Sequence, residues 1–200
     1  MEEQRFPTPN YTRGRTQQVI WIIIHATRSG IPGNDDWYST VNHFTNPYPN
    51  EPEKRASSHV LIARDGRRGR FVDDEDTAFH AGEHNPYTLG VELEQPTIDT
   101  PFTEAQYVAL AGEVREWREK FGPLACIGHE GTPQGIRQGK TDPGPLFDWG
   151  HFTEMLNMED TEARRLIAII NLADRWAAMI RLGLAQQVVN EAKALGVVAQ

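Results

Sequence analysis

The chain of 200 residues is 38% hydrophobic and carries a formal net charge of −8, which suits one globular domain with a small appendage. The acidic balance argues against a nucleic-acid partner, and no window approaches the roughly 20 apolar residues of a membrane span. The lone cysteine, Cys126, excludes an intramolecular disulfide.

The amino-terminal part of the chain predicts a loop or an extended arm followed by a buried strand. Residues 1–17 are polar and contain proline, and Met1–Arg5 lacks the apolar core of a signal peptide. We therefore expect cytoplasmic synthesis without a signal peptide, so that a substrate outside the cell would be reached only after release by another protein. The apolar, β-branched run Val19–His25 predicts a strand buried on both faces, with His25 at the end where α/β sheets bind ligands.

Between residues 37 and 94 the sequence predicts one helix, a surface loop and four short strands. A helix from Trp37 to about Thr45 would follow a cap at Asp35 and Asp36, and Asn46–Lys54 reads as a surface loop. Strands are predicted at Ser57–Arg64, Arg70–Val72, Thr77–His80 and Thr88–Glu94, with Asp65 and Gly66 as a hairpin turn. Four arginines, Arg64, Arg67, Arg68 and Arg70, are expected to lie in a solvated turn. Alternation in the last strand places Leu89, Val91 and Leu93 on one face, and Gly90, Glu92 and Glu94 on the other.

The second half of the chain predicts one more strand and several helices. A capping-box pattern at Thr103 and Gln106 precedes a helix to about Phe121. The remaining segments are a strand at Leu124–Ile127, a loop at Gly131–Pro145 and a helix at Phe147–Leu156. From Glu159 an apolar stripe of period 3.6, broken at Gly183, predicts a helical hairpin whose second helix runs from about Leu184 to Leu195.

Three short runs carry side chains suited to a metal ion. His25 closes the first strand, His129 follows the strand at 124–127, and Asp142 lies in the run Lys140–Pro145. Two imidazoles and a carboxylate are a set that catalytic zinc prefers, with the fourth tetrahedral position open. Cys126 also stands three positions before His129, but strand residues three apart face opposite sides, so we expect a buried, inert thiol.

Six motifs follow one another along the chain. They are the strand ending in His25, Ser58-His59 with Arg64-Asp65-Gly66, Phe79-His80-Ala81-Gly82, Leu89–Glu94, Gly128-His129-Glu130, and Lys140–Pro145 with Phe147-Asp148-Trp149. In this order they resemble the zinc-dependent N-acetylmuramoyl-L-alanine amidases of the type 2 family, over roughly residues 18 to 155. That family includes small phage lysins, wall-recycling amidases and peptidoglycan recognition proteins.

The resemblance implies a role for each matching residue. The Zn²⁺ ligands would be His25, His129 and Asp142. Glu92 corresponds to the carboxylate that works on the attacking water; alternation alone leaves Glu92 and Glu94 open, and the resemblance selects Glu92. Lys140 would stabilise the oxyanion, and His80 would line the cleft and bind substrate. His59 is expected to be a structural, hydrogen-bonded histidine.

Two departures from the family pattern concern access to the cleft. Phe79 replaces the usual tryptophan. The stretch Glu130–Thr141 is longer than in many relatives, and its glycines predict an extended, mobile loop.

We therefore expect an α/β catalytic domain over 1–157, with a central mixed β-sheet flanked by helices, and a helical extension over 158–200. The implied reaction is hydrolysis of the amide between N-acetylmuramic acid and L-alanine of peptidoglycan, without a nucleic-acid partner or membrane insertion. The interpretation favoured by the sequence is a phage endolysin, in which the extension binds the wall or self-associates. The alternatives are a cytosolic amidase that recycles anhydro-muropeptides, a non-catalytic peptidoglycan-recognition module, and zinc hydrolysis of another amide.

Overall fold

The computed structural model describes residues 3–28, 36–158 and 183–194, with isolated positions between 169 and 180. The chain divides into two compact units, residues 1–157 and 158–200. In the second unit the described residues include helix α5, Ala185–Ala194, close to the predicted bounds. The first helix of the predicted hairpin and its apolar stripe fall largely outside the described residues, so the assignment of a separate extension stays a prediction.

A six-stranded mixed sheet forms the centre of the first unit. Its strands are β1 (Glu3–Arg5), β3 (Trp21–Ala26), β4 (Val60–Ile62), β5 (Arg68–Arg70), β7 (Thr88–Leu93) and β8 (Ala125–Gly128). They lie in the order β1-β5-β4-β7-β3-β8, and every neighbouring pair is parallel except β4 and β5. Two further strands, β2 (Tyr11–Thr12) and β6 (Thr77–Ala78), form a small antiparallel sheet of their own.

Helices flank this sheet, which confirms the predicted α/β class. They are α1 (Asp36–Thr45), α2 (Glu104–Phe121), α3 (Pro133–Gln138) and α4 (Trp149–Asn157), with short 3-10 turns at Pro52–Lys54, Gly82–Tyr87 and His129–Gly131. The capping box at Thr103 and Gln106 forms as predicted: the Thr103 hydroxyl accepts from the Gln106 amide, and the Gln106 side chain accepts from the Thr103 amide. The described part of the chain contains no helix long and apolar enough to cross a membrane.

The two faces of the sheet have different cores. The face that packs on α2 buries Ile22, Ile24, Leu89, Val91 and Leu93, which alternate along β3 and β7. On the other face, α1 packs on β4 through Trp37, Val41, Phe44 and Leu61. Because paired residues of neighbouring strands share a face, the register Leu61–Glu92–His25 places the last two side chains on the α1 face.

Two predicted loops contain regular structure. The arm at residues 1–17 contributes β1 to the sheet edge, where Phe6 continues the pairing by donating its amide to the Arg70 carbonyl. The segment 131–145 contains helix α3, so the prediction of an extended loop there is wrong. Thr132 caps this helix by accepting from the Gly135 amide, and Gly139 ends it in the left-handed conformation, φ 66°.

Strand bounds also differ from the predictions. The first central strand begins at Trp21, two residues later than predicted, and β4 and β5 are three residues each. The hairpin turn is closed by the Ala63 amide donating to the Arg67 carbonyl, so pairing starts at Arg68 and not at Arg70. Asp35, the predicted cap of α1, lies outside the described residues.

Candidate active site

Three side chains from distant parts of the chain meet at one edge of the sheet. His25, His129 and Asp142 each offer a donor atom, and these atoms all lie within 4.8 Å of one another. Asp142 Oδ2 is 3.0 Å from His25 Nδ1 and 3.1 Å from His129 Nδ1. The parallel pairing of β3 with β8 explains the meeting, because the two histidines lie at the carboxyl ends of neighbouring strands.

The donor set and its spacing suit one zinc ion. Zinc–nitrogen and zinc–oxygen bonds of about 2.0–2.1 Å in a tetrahedron separate neighbouring donors by about 3.3 Å, close to the distances around Asp142 Oδ2. Burial works to raise the pKa of Asp142, but the close contacts of its carboxylate with His129 and His25 outweigh it and hold that pKa well below its usual range. Burial lowers the pKa of His25. The carboxylate is therefore ionised and His25 neutral, as metal binding requires.

His80 supports His25 from the side away from Asp142. His25 Nε2 lies 3.0 Å from His80 Nδ1, and His80 Nε2 lies 3.1 Å from the Thr88 hydroxyl. That hydroxyl donates to the His84 carbonyl, so it accepts from His80 Nε2–H, and His80 Nδ1 then accepts from His25 Nε2–H. This tautomer leaves Nδ1 of His25 free for a metal.

The structure thus gives His80 a contact that the sequence did not predict. It places the imidazole against His25, where burial lowers the pKa of His80 well below its usual value. The expected contact of His80 with substrate stays a prediction. The role of Thr88 in fixing the tautomer has no signal in the sequence, because a threonine at the start of a strand carries no motif.

The structure separates Glu92 from Glu94. Glu94 is buried, and its two carboxylate oxygens accept from the backbone amides of Trp37, at 3.3 Å, and Arg64, at 2.9 Å. Glu92 pairs in register with His25 and is half-buried. Glu92 borders a cavity of about 320 Å³ on the α1 face, lined also by Thr27, Ser39, Thr40, His43, Phe44 and Ala56. Of the two carboxylates, Glu92 is therefore the one beside open space.

Lys140 lies on the segment that links α3 to Asp142. Its backbone amide donates to the Gly135 carbonyl at 2.9 Å, and its side chain is exposed. The Lys140 ammonium is close enough to His25 that its charge works to lower the pKa of that imidazole. The predicted role at the oxyanion stays a prediction.

The surroundings of two other residues, His59 and Cys126, suit structural and not catalytic roles. His59 is fully buried and accepts from the Gly90 amide at 2.9 Å, and burial lowers its pKa to about 3, as suits a structural, neutral histidine. Burial raises the pKa of the Cys126 thiol to about 11, so this thiol is protonated at neutral pH. Cys126 is not among the residues whose donor atoms meet at the candidate metal site.

The sequence family described as N-acetylmuramoyl-L-alanine amidase matches residues 15–145 of the chain. The chain belongs to the type 2 N-acetylmuramoyl-L-alanine amidases. Within this amidase family, the 1,6-anhydro-N-acetylmuramyl-L-alanine amidase AmpD of Enterobacter cloacae is 36% identical over 174 residues, covering 78% of this chain and 91% of AmpD.

Solved structures show the same fold as this amidase. A crystal structure of AmpD superposes with a TM-score of 0.65 at 29% identity, covering 78% of this chain and 95% of that one. The endolysin LysCS from Clostridium intestinale has a TM-score of 0.52 at 19% identity, covering 79% of this chain and 97% of that one, and it supports the fold alone. The predicted family, fold and amidase activity are thereby confirmed.

Proposed function

We propose that this amidase holds one zinc ion through His25 Nδ1, His129 Nδ1 and Asp142 Oδ2, and that its substrates are soluble 1,6-anhydro-muropeptides. The bond cleaved would be the amide between the muramic acid lactyl group and L-alanine. The observation that carries the proposal is the meeting of the three donor atoms within 4.8 Å. Glu92, which pairs in register with His25, borders a cavity open to a substrate.

The choice of substrate departs from the endolysin that the sequence favoured. AmpD proteins that are 30% and 36% identical over most of this chain are named as 1,6-anhydro-N-acetylmuramyl-L-alanine amidases. The endolysin, in contrast, is 19% identical. These comparisons support the recycling alternative, so wall lysis and release through an opened membrane are not part of the proposal.

The chemistry follows from the positions of the side chains. Zinc, when bound, would polarise the scissile carbonyl and make a water molecule more acidic. Glu92 takes the proton from the attacking water and delivers it to the amide nitrogen as the carbon–nitrogen bond breaks. The products are a lactyl carboxylate and the free amino group of the peptide. Lys140 stabilises the negative charge that develops on the carbonyl oxygen.

The cavity beside Glu92 suits a polar substrate of modest size. Its volume of about 320 Å³ is at the lower end of the range for small-molecule sites. The polar residues Thr27, Ser39, Thr40 and His43 are among those that line it. These groups can hydrogen-bond the sugar or peptide amides of a muropeptide.

Mass spectrometry of the reaction products tests this proposal. Purified enzyme loaded with zinc would be given a soluble 1,6-anhydro-muropeptide and, separately, intact peptidoglycan. We expect the soluble substrate to yield the free peptide and the anhydro-sugar acid at a much higher rate than the wall releases peptide. Faster release from intact wall would support the endolysin instead, and products cut at another bond would contradict the proposal.

A further inference from the structure

One arginine joins the two chain segments that carry His25 and Asp142. Arg28 stands three residues after His25, just beyond β3. Its Nη1 donates to the Thr141 hydroxyl at 2.6 Å, and its Nη2 donates to the carbonyls of Thr141, at 2.7 Å, and Pro143, at 2.9 Å. Arg28 therefore binds the residues on both sides of Asp142.

The guanidinium is itself held by Gln95, a buried residue two positions after the end of β7. Its Nε donates to Gln95 Oε1 at 3.2 Å, and the Arg28 amide donates to the Gln95 carbonyl at 2.9 Å. Gln95 is fully buried, and its side-chain amide donates to the Thr100 carbonyl at 2.8 Å. Because Gln95 is fixed in this way, the direction in which the Arg28 fork points is fixed as well.

The Asp142 segment comes close to Arg28 because of a glycine. A Cβ on Gly144 would lie 2.6 Å from Arg28 Nη2, and Gly144 also has a φ of 84°, which favours glycine. The acceptors of Arg28 on this segment are neutral carbonyl and hydroxyl oxygens. The negative charge of the Asp142 carboxylate is therefore left for the site that His25 and His129 share.

We propose that Arg28 is a positioning residue for the metal ligand Asp142. It ties the Asp142 segment to the end of the strand that carries His25, and so sets the separation of the two ligands before a metal binds. The inference rests on the proposed zinc site. It concerns Arg28 alone and goes beyond the roles that the family pattern assigns to the ligands, Glu92 and Lys140.

Loss of the Arg28 charge and loss of its hydrogen bonds are expected to change zinc affinity in opposite directions. A guanidinium close to a dication repels it, so the loss of that positive charge alone would strengthen zinc binding. Loss of the hydrogen bonds that orient a metal ligand weakens binding, typically by about 10–100-fold. The sign of the change in the zinc dissociation constant therefore distinguishes a positioning residue from a bystander.

The test is zinc affinity, measured by competition with a chromophoric chelator, together with circular dichroism of the metal-free proteins. We expect Arg28→Ala to raise the dissociation constant by about 10–100-fold. Arg28→Lys should also weaken binding, because an ammonium keeps the charge but lacks the planar fork. Thr141→Val removes one acceptor and should give a smaller loss in the same direction.

The matched control is Arg64→Ala. Arg64 Nη1 donates to a proline carbonyl, that of Pro101, at 2.9 Å, on a segment without a predicted ligand, so this variant should bind zinc like the wild type. If the wild type binds zinc and a folded Arg28→Ala variant binds it equally or more tightly, the inference about Arg28 is overturned and the proposed zinc site is not. If Arg28→Ala does not fold, unchanged binding by both Arg28→Lys and Thr141→Val overturns it. A wild type that binds no zinc overturns the proposed function as well.

Discussion

Replacing Gly90 with alanine tests whether His80 supports His25, a proposed ligand of the metal. A Cβ built on Gly90 would lie 2.6 Å from Cγ and Nδ1 of His80, whereas ordinary contacts begin at 3.4 Å, so the ring must retreat by roughly 0.8 Å. A shift of that size is enough to break the 3.0 Å hydrogen bond between His80 Nδ1 and His25 Nε2. His25 then loses the partner that fixes its tautomer and ring orientation.

We expect the Gly90→Ala variant to bind zinc about 10–100-fold more weakly, a loss of about 1.4–2.8 kcal/mol. Chelator competition measures the affinity, and thermal unfolding of the metal-free protein shows that the variant folds. Gly112→Ala is the control: its Cβ would meet nothing within 4 Å, and alanine in helix α2 should stabilise the protein by up to about 1 kcal/mol without changing zinc affinity. A folded Gly90→Ala protein with wild-type zinc affinity would refute the role given to His80.

Three further predictions concern other parts of the account. Glu92→Gln should retain zinc but lower kcat on the anhydro-muropeptide by about 10²–10⁴-fold, because proton transfer is lost. Glu94→Gln should instead keep kcat and lose about 1–3 kcal/mol of unfolding free energy. The reason is that an amide NH₂ would face the backbone amide of Trp37 or Arg64. A large kcat loss in Glu94→Gln would contradict the assignment of proton transfer to Glu92. His59 has a pKa lowered by burial from 6.5 to about 3, so the unfolded chain takes up its proton first. The stability that His59 contributes is therefore complete above pH 6.5 and falls towards pH 3, by up to about 1.4 kcal/mol per pH unit. Urea titrations of His59→Asn between pH 6.5 and 4 should show a flatter pH dependence than those of the wild type, and parallel curves would count against a neutral His59. A chain ending after Met158 should keep its activity on the soluble substrate, since the candidate site lies within residues 1–157; lost turnover in a folded truncation would show that the second unit takes part.

The convergence of the two histidines could be predicted because it depends on local features. A buried strand places the residue at its carboxyl end at the sheet edge, and neighbouring parallel strands share that edge. His25 and His129 both follow this rule. Asp142 lies on no strand, so the resemblance to the family, and not the periodicity, associated it with the histidines.

Glu92 and Glu94 show where strand periodicity stops being informative. Alternation places both carboxylates on one face of β7, and it does not say what packs on that face. Helix α1 packs on this face and gives Glu94 the Trp37 amide as a donor, while Glu92 borders the cavity. That difference depends on the position of a helix about fifty residues earlier in the chain.

Helix α3 was missed although its signals were present. Thr132 and Pro133 form an N-cap followed by proline at the first turn, and Gly139 lies at the C-cap. The helix is six residues long, too short for a hydrophobic period to show, and the glycines of the segment favoured a loop. The capping residues at the two ends were sufficient to predict helix α3.

The prediction that the arginines lie in a solvated turn is wrong for Arg68 and Arg70. Arg70 is buried and Arg68 half-buried, and each donates to the buried Glu113 carboxylate at 2.8 Å. Glu113 lies on α2, more than forty residues away in sequence, and the same helix face carries apolar core residues. A buried ion pair between distant elements leaves no local pattern, so the sequence favoured a solvated turn.

The zinc content of the wild type and of Asp142→Ala tests the central claim most directly. Elemental analysis would be paired with turnover of the soluble anhydro-muropeptide before and after chelation. We expect about one zinc per wild-type chain, turnover that disappears on chelation and returns with added zinc, and neither metal nor turnover in Asp142→Ala. Wild-type turnover that survives complete removal of the metal, or an Asp142→Ala protein that keeps its zinc, would contradict the account.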